Sequence, residues 1–147
     1  MRIGYASGAF DMFHIGHLNL LRQAKLQCDQ LIAGVITDRL YQEVRGRPPI
    51  VPFTERLQIV RNIEFVDFAI GDDHMDKMFA WEQLRFDVLI KGDDWKYKPE
   101  AAALKGKIEE AGIEIAYVPY TEHTSSTRLR TIVAELERGA AADSVTD

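Results

Sequence analysis

Residues 8–17 read GAFDMFHIGH and place two histidines, an aspartate and two glycines where a strand hands over to a helix. The segment before it, residues 3–6, is short and mostly apolar; after it, Leu18, Leu21, Ala24 and Lys25 recur at helical spacing. The glycines therefore fall in the connecting turn. Gly8 permits a close backbone approach, and Gly16 lets phosphate oxygens come near the first helical turn. Ala9, Phe10 and Asp11 complete the turn. His14 and His17 are three apart, so both imidazoles project to one side of a helical turn, at the positive end of its dipole. A lone histidine at a helix start is more often a cap or a core residue. The pair, with its glycines and Asp11, reads as a site for a nucleotide's phosphates.

Outward from this turn, apolar runs at 31–36, 66–70, 88–90 and 113–118 read as strands, separated by segments of helical character at 16–27, 54–63, 75–85, 99–111 and 126–138. Gly112 is a helix stop. Strict alternation implies an α/β fold, a doubly wound parallel sheet with helices on both faces. Such sheets bind ligands beyond the carboxyl ends of their strands, so the turns at 8–17, 92–95 and 120–127 are expected to converge on one edge. Residues 41–52 carry Arg45-Gly46-Arg47-Pro48-Pro49 and are expected to lack regular structure. They read either as a lid that brings cations to a triphosphate or as an ordinary surface loop. Residues 139–147 are small and polar enough for a flexible tail.

The 147 residues suit one domain, 1–138, with its own core. A net charge of −5 argues against a nucleic-acid surface and leaves Arg45, Arg47 and Arg56 as local phosphate contacts. Cys28 is the only cysteine, which excludes an intrachain disulfide and a thiolate cluster and fits a reducing cytoplasm. No segment reads as a leader or a membrane span, so neither secretion nor a membrane partner is expected.

GAFDMFHIGH resembles the G-x-F-D-x-x-H-x-G-H signature of the cytidylyltransferase branch of the HxGH nucleotidyltransferase superfamily. Gly92-Asp93-Asp94-Trp95 is similar to the GDDW of bacterial glycerol-3-phosphate cytidylyltransferases. Ser125-Ser126-Thr127 resembles the end of that family's R-T-E-G-I-S-T-T motif, and Thr54-Glu55-Arg56 stands where the family has an E-x-R helix start. The likeness runs from Met1 to about Arg138. It implies a Rossmann-like domain that transfers CMP from CTP to a small phosphorylated alcohol, foremost glycerol 3-phosphate, and releases pyrophosphate. It also implies Mg²⁺ or another divalent cation, and a homodimer through residues 60–68. An adenylyltransferase, or a cytidylyltransferase with a sugar phosphate or phosphoethanolamine acceptor, is the alternative enzyme. A nucleotide-binding regulatory module without catalysis is the alternative of another class.

In that chemistry the acceptor phosphate is itself the nucleophile, so the protein aligns reactants and stabilises negative charge. His14 and His17 are expected to donate to the reacting phosphoryl group. Arg128, beside Ser125, Ser126 and Thr127 at a helix N-terminus, is the expected partner of the β- and γ-phosphates, with Ser126 as a helix cap in the plainer reading. The resemblance assigns Lys91 and Asp93 to the nucleotide, and Asp94, Trp95 and Arg56 to the acceptor. Asp11 is the best carboxylate for a metal ion, which is expected to be held mainly by the nucleotide. Asp72, Asp73, His74 and Asp76 form a second polar cluster, read as turn residues rather than as a metal site. The pattern breaks at Tyr120 and His123, which replace the family's arginine and glycine, and at Arg45, which replaces a lysine. Tyr120 in particular loses a charge and two donors, which leaves base and acceptor open.

Overall fold

The apolar runs form five parallel strands, β1 (Ile3–Gly8), β2 (Gln30–Ile36), β3 (Phe68–Asp72), β4 (Val88–Gly92) and β5 (Glu114–Val118), in the order β3-β2-β1-β4-β5. The computed structural model describes residues 1–119 and 125–146, with side chains through residue 140. Six helices accompany the sheet: α1 (Ile15–Lys25), α2 (Asp38–Arg45), α3 (Phe53–Arg61), α4 (Lys77–Leu84), α5 (Pro99–Glu110) and α6 (Ser126–Thr146). A short 3₁₀ helix, Asp93–Tyr97, follows β4.

Side chains alternate across the sheet, so Tyr5 and Ala6 of β1 enter different cores. Ala6, Leu31, Ala33, Val35, Val88 and Ile90 pack under Leu21 and Ala24 of α1 and Val60 of α3. On the opposite face Tyr5, Ile32 and Leu89 meet Ile108 of α5, with Trp81 and Leu84 of α4 against them. Covering both faces explains why the strands read as continuous apolar runs. Each fully buried Leu or Ile, such as Leu21, Leu89 and Ile108, contributes about 1.5–3 kcal/mol. Tyr5 stacks on Phe86 at 5.0 Å, and its hydroxyl lies where a side chain at Gly34 would stand, which explains the glycine in β2.

The chain winds from β1 outward through β2 to β3, then returns to place β4 on the other side of β1. The crevice at the carboxyl ends of β1 and β4 is thus the topological switch point, and the 8–17 and 92–97 turns both open there.

Three local expectations change. Residues 38–45 form a helix rather than an irregular loop, because Thr37 caps it with its hydroxyl on the Leu40 N–H and Gly46 ends it at φ 74°. β3 begins at Phe68 rather than Val66, because the Asp67 carboxylate takes the Leu31 N–H and the Lys25 ammonium. α6 continues past Arg138 to Thr146. Among the described residues no helix is long and apolar enough to cross a membrane.

Candidate active site

His14 is the N-cap of α1, and its Nδ1 accepts the Gly16 N–H at 3.0 Å. His17 reaches back so that its Nδ1 accepts the His14 N–H at 3.4 Å. This is a capping box built from two imidazoles in place of the usual hydroxyl and carboxamide or carboxylate. Because each Nδ1 accepts a backbone hydrogen, the proton of each neutral ring is assigned to Nε2. The rings stack at 3.9 Å and 26°, which sets the two Nε2–H donors side by side. Both lie 3.4 Å from Ser126 Oγ. Ser126 gives its own proton to the Asp11 carbonyl at 2.7 Å, so its lone pairs face the histidines. Burial pushes the His17 pKa down to about 3, with the His14 ring adding to the effect, and burial lowers His14 as well. At neutral pH the site therefore presents two uncharged N–H donors aimed at one acceptor position.

The turn that carries them is held tightly. Phe10 and Met12 adopt positive φ values of 52° and 49°, and Phe10 packs edge-on against His17 at 5.5 Å. Between them Asp11 is 1% exposed. Its carboxylate accepts the N–H groups of Ile50 at 2.9 Å and Val51 at 2.8 Å, and pairs with Arg130 at 2.6 Å. Burial alone would raise its pKa, but the two backbone donors and Arg130 outweigh it and hold the group below the usual carboxylate value. The carboxylate expected at the metal ion thus also braces the turn, and it lines the smaller cavity described below. Among the described residues no group of three or more His, Cys, Asp or Glu is placed to hold a metal ion.

Arg56, expected at the acceptor, is held inside the fold. It is 1% exposed and donates to the carbonyls of Ala9, Ile36 and Val51 at 2.7–2.8 Å and to Asp38 at 2.7 Å. It ties the 8–17 turn to β2 and α3 and contacts neither cavity described below.

At the N-terminus of α6, Ser125 rather than Ser126 is the cap: its Oγ accepts the Arg128 N–H at 3.0 Å. Ser126 is thereby released to the histidines. The Arg128 side chain is exposed, whereas Arg130 turns inward, its guanidinium 5.8 Å from the Tyr41 ring and its Nε buried without a partner. Arg130 lines a cavity of about 190 Å³ with His17, Tyr41, Arg45, Ser126 and Thr127, and Arg128 does not. Arg130 is the residue sequence reasoning missed. Its available signal was the spacing of four from Ser126, which puts both on one helix face.

A larger cavity, about 720 Å³, opens on the α4 and α5 side. It shares Gly8, Ala9, Tyr41 and Arg45 with the smaller one and adds Ser7, Lys77, Lys91 and Trp95. Lys91 lies 5.0 Å from the Trp95 ring, and burial, with the charge of Lys77, pushes its pKa down to about 8. Asp93 faces Lys96 at 3.8 Å, and neither it nor the exposed Asp94 lines the cavity. The Gly16 N–H is already engaged by His14. Tyr120, Glu122 and His123 lie outside the described residues.

Residues 5–132 match the family described as cytidylyltransferase-like. An ethanolamine-phosphate cytidylyltransferase of Arabidopsis thaliana is 36% identical over 130 residues, 84% of this chain. The chain spans 30% of that relative's length. An FAD synthase of Pyrococcus abyssi is 34% identical over 116 residues, 77% of both chains. Among solved structures, a lipopolysaccharide core biosynthesis protein from Thermoplasma volcanium superposes with a TM-score of 0.70 at 29% identity, covering 84% of this chain and 99% of its own.

Proposed function

The chain belongs to the cytidylyltransferase-like family, and from that membership we propose that it transfers a nucleoside monophosphate from a nucleoside triphosphate to a phosphorylated small molecule. The leading pair is CTP and glycerol 3-phosphate. The observation that carries the reading is the paired Nε2–H donors of His14 and His17 converging at 3.4 Å on one oxygen position.

An oxygen of the acceptor's phosphate attacks the α-phosphorus as the bond from that phosphorus to the bridging oxygen breaks, and the electron pair leaves with pyrophosphate. No protein nucleophile enters the balance. The imidazoles stabilise the charge that grows on the α-phosphate oxygens, in the place that Ser126 Oγ holds in the free protein. Neutral donors suit this role because they lose no proton near neutrality. The β- and γ-phosphates meet the first turn of α6 and Arg130, which lines the smaller cavity. A divalent ion, held mainly by the nucleotide's phosphates, would offset their charge, with Asp11 the nearest carboxylate to the histidine turn. The acceptor occupies the larger, lysine-lined cavity. A homodimer through residues 60–68 fits the same reading, because β3 is an edge strand and Phe68 is 56% exposed.

Pyrophosphate release tests the proposal, with CTP or ATP against glycerol 3-phosphate, a sugar phosphate, phosphoethanolamine and a flavin phosphate. Release with CTP and glycerol 3-phosphate is expected. Release with another pair keeps the chemistry and replaces the substrates. Nucleotide binding without release in any pair favours the regulatory module.

Arg130→Lys keeps a charge beside Asp11 but loses the guanidinium fork, and is expected to raise the nucleotide KM about tenfold. Arg128→Gln is expected to change it less than about threefold. The reverse ranking in steady-state kinetics would return the phosphate role to Arg128.

A further inference from the structure

Tyr41 belongs to neither hydrophobic core, yet it is 5% exposed and lines both cavities. Its place is set by α2. The Thr37 cap starts that helix, and the Tyr41 N–H closes its first turn on the Thr37 carbonyl at 2.9 Å. Arg45 follows Tyr41 by one helical turn on the same face and lines both cavities with it. Gly46 then reverses the chain at φ 74°, and Arg47 folds back over the Tyr41 ring. Its guanidinium lies 5.9 Å from the ring centroid, and its Nη1 donates to the Tyr41 hydroxyl at 3.4 Å. From α6, Arg130 brings a second guanidinium to 5.8 Å from the same centroid.

One aromatic ring thus takes two cations from segments far apart in the sequence. Like charges repel, so the arrangement depends on the ring, whose electron-rich face attracts each of them. Asp11 neutralises Arg130 alone of the two, through the one hydrogen bond that Arg130 makes among the described residues. A single bond at Nη2 fixes one nitrogen and leaves the plane of the guanidinium free to turn about it. The Tyr41 ring is the second contact, and it sets that plane.

We infer that Tyr41 is a positioning residue for the triphosphate: its ring holds Arg130 and Arg47 so that α6 and the segment after α2 meet the β- and γ-phosphates together. The inference rests on the reading of the smaller cavity as the site of those phosphates. Asp11 is the one acid among the described residues that line this cavity, against Arg45 and Arg130, so a polyanion supplies the charge that the wall lacks. The ring carries the effect rather than the hydroxyl, whose bond to Arg47 is long.

The test is calorimetric titration with CTP, ATP, CMP and AMP, alongside steady-state kinetics and pyrophosphate release. Tyr41→Leu is expected to weaken whichever triphosphate wild type binds more tightly by about 3- to 10-fold and its monophosphate less than about twofold. It should raise the triphosphate KM more than it lowers kcat. Tyr41→Phe keeps the ring and is expected to stay within about twofold of wild type, since the bond it loses is weak. Arg130→Lys should cost less in the Tyr41→Leu background than in wild type, because the fork it removes is no longer held. Tyr41→Met stands in if Tyr41→Leu does not fold.

Equal loss of triphosphate and monophosphate affinity in Tyr41→Leu, the mark of a structural role, overturns the inference. So does a Tyr41→Phe variant as weak as Tyr41→Leu, or strictly additive losses from Tyr41→Leu and Arg130→Lys. Unaltered triphosphate affinity in Tyr41→Leu overturns it while pyrophosphate release by wild type leaves transfer standing. Triphosphate affinity that depends on the ring, in protein that releases no pyrophosphate with any acceptor, supports it and overturns the transfer reading instead.

Discussion

His17→Ala is expected to lower kcat by about 10²- to 10³-fold while nucleotide affinity changes much less. The ring supplies one of two donors directed at a single oxygen position, and it does so from a partly buried site, where such a bond is stronger than in water. It also completes the cap of α1, so some loss of stability accompanies the loss of rate, on the order of 1 kcal/mol for a cap. Single-turnover kinetics at saturating nucleotide separate the two effects, because a folded variant that binds but does not transfer isolates the donor's contribution. The pH dependence is a second check. His17 is neutral in the folded protein down to about pH 3, so kcat should show no limb from His17 between pH 5 and 7.5. Stability behaves differently. The unfolded imidazole takes up a proton near pH 6.5 and the folded one does not, so the depressed pKa costs stability progressively as pH falls from about 6.5 toward 3. A kcat limb near 6.5 that vanishes in His17→Ala, or an undiminished rate in that variant, would remove the neutral-donor mechanism.

The 8–17 turn was legible because its chemistry is local: the glycines, the helical spacing and the three-residue separation of the histidines are properties of adjacent residues. The parallel sheet followed from the alternation of apolar runs with helical segments. What stayed hidden depends on helix phase or on distant partners. Ser125, Ser126 and Thr127 mark a helix start, but only the phase set by Ser125 as cap decides that Arg130, and not Arg128, faces the histidines. Asp11 sits among phosphate-binding residues in sequence, yet its partners Ile50, Val51 and Arg130 lie 39 to 119 positions away. Arg56 likewise reads as a free cation until its three backbone carbonyls, contributed by three segments, are seen together. The tautomer of the histidines was beyond sequence for the same reason: it is fixed by which backbone N–H each Nδ1 accepts.

Asp11→Ala is expected to destabilise the fold by about 3 kcal/mol, because removing the buried carboxylate strands the largely covered Arg130 guanidinium and two backbone N–H groups. Asp11→Asn keeps a single carbonyl acceptor and no charge, so its loss should be smaller. The pH dependence carries the signature of the carboxylate. Its folded pKa is lowered, so its stabilising contribution is present above the unfolded value of about 3.9 and is lost as pH falls through the folded one. Wild type should therefore lose stability below about pH 4 more steeply than Asp11→Ala, and chemical unfolding across that range measures the difference. Activity falls as well, although Asp11 touches no reactant in this scheme. Its carboxylate fixes the segment that follows Arg45 and Arg47, while its backbone carbonyl orients Ser126. Releasing these together should raise the nucleotide KM through Arg45 and Arg130 more than it lowers kcat, since the imidazoles are positioned by their own reciprocal backbone bonds. A variant as stable as wild type, or one whose defect lies in kcat alone, would show that Asp11 acts in the chemistry and not as the brace between β1, the 46–52 segment and α6.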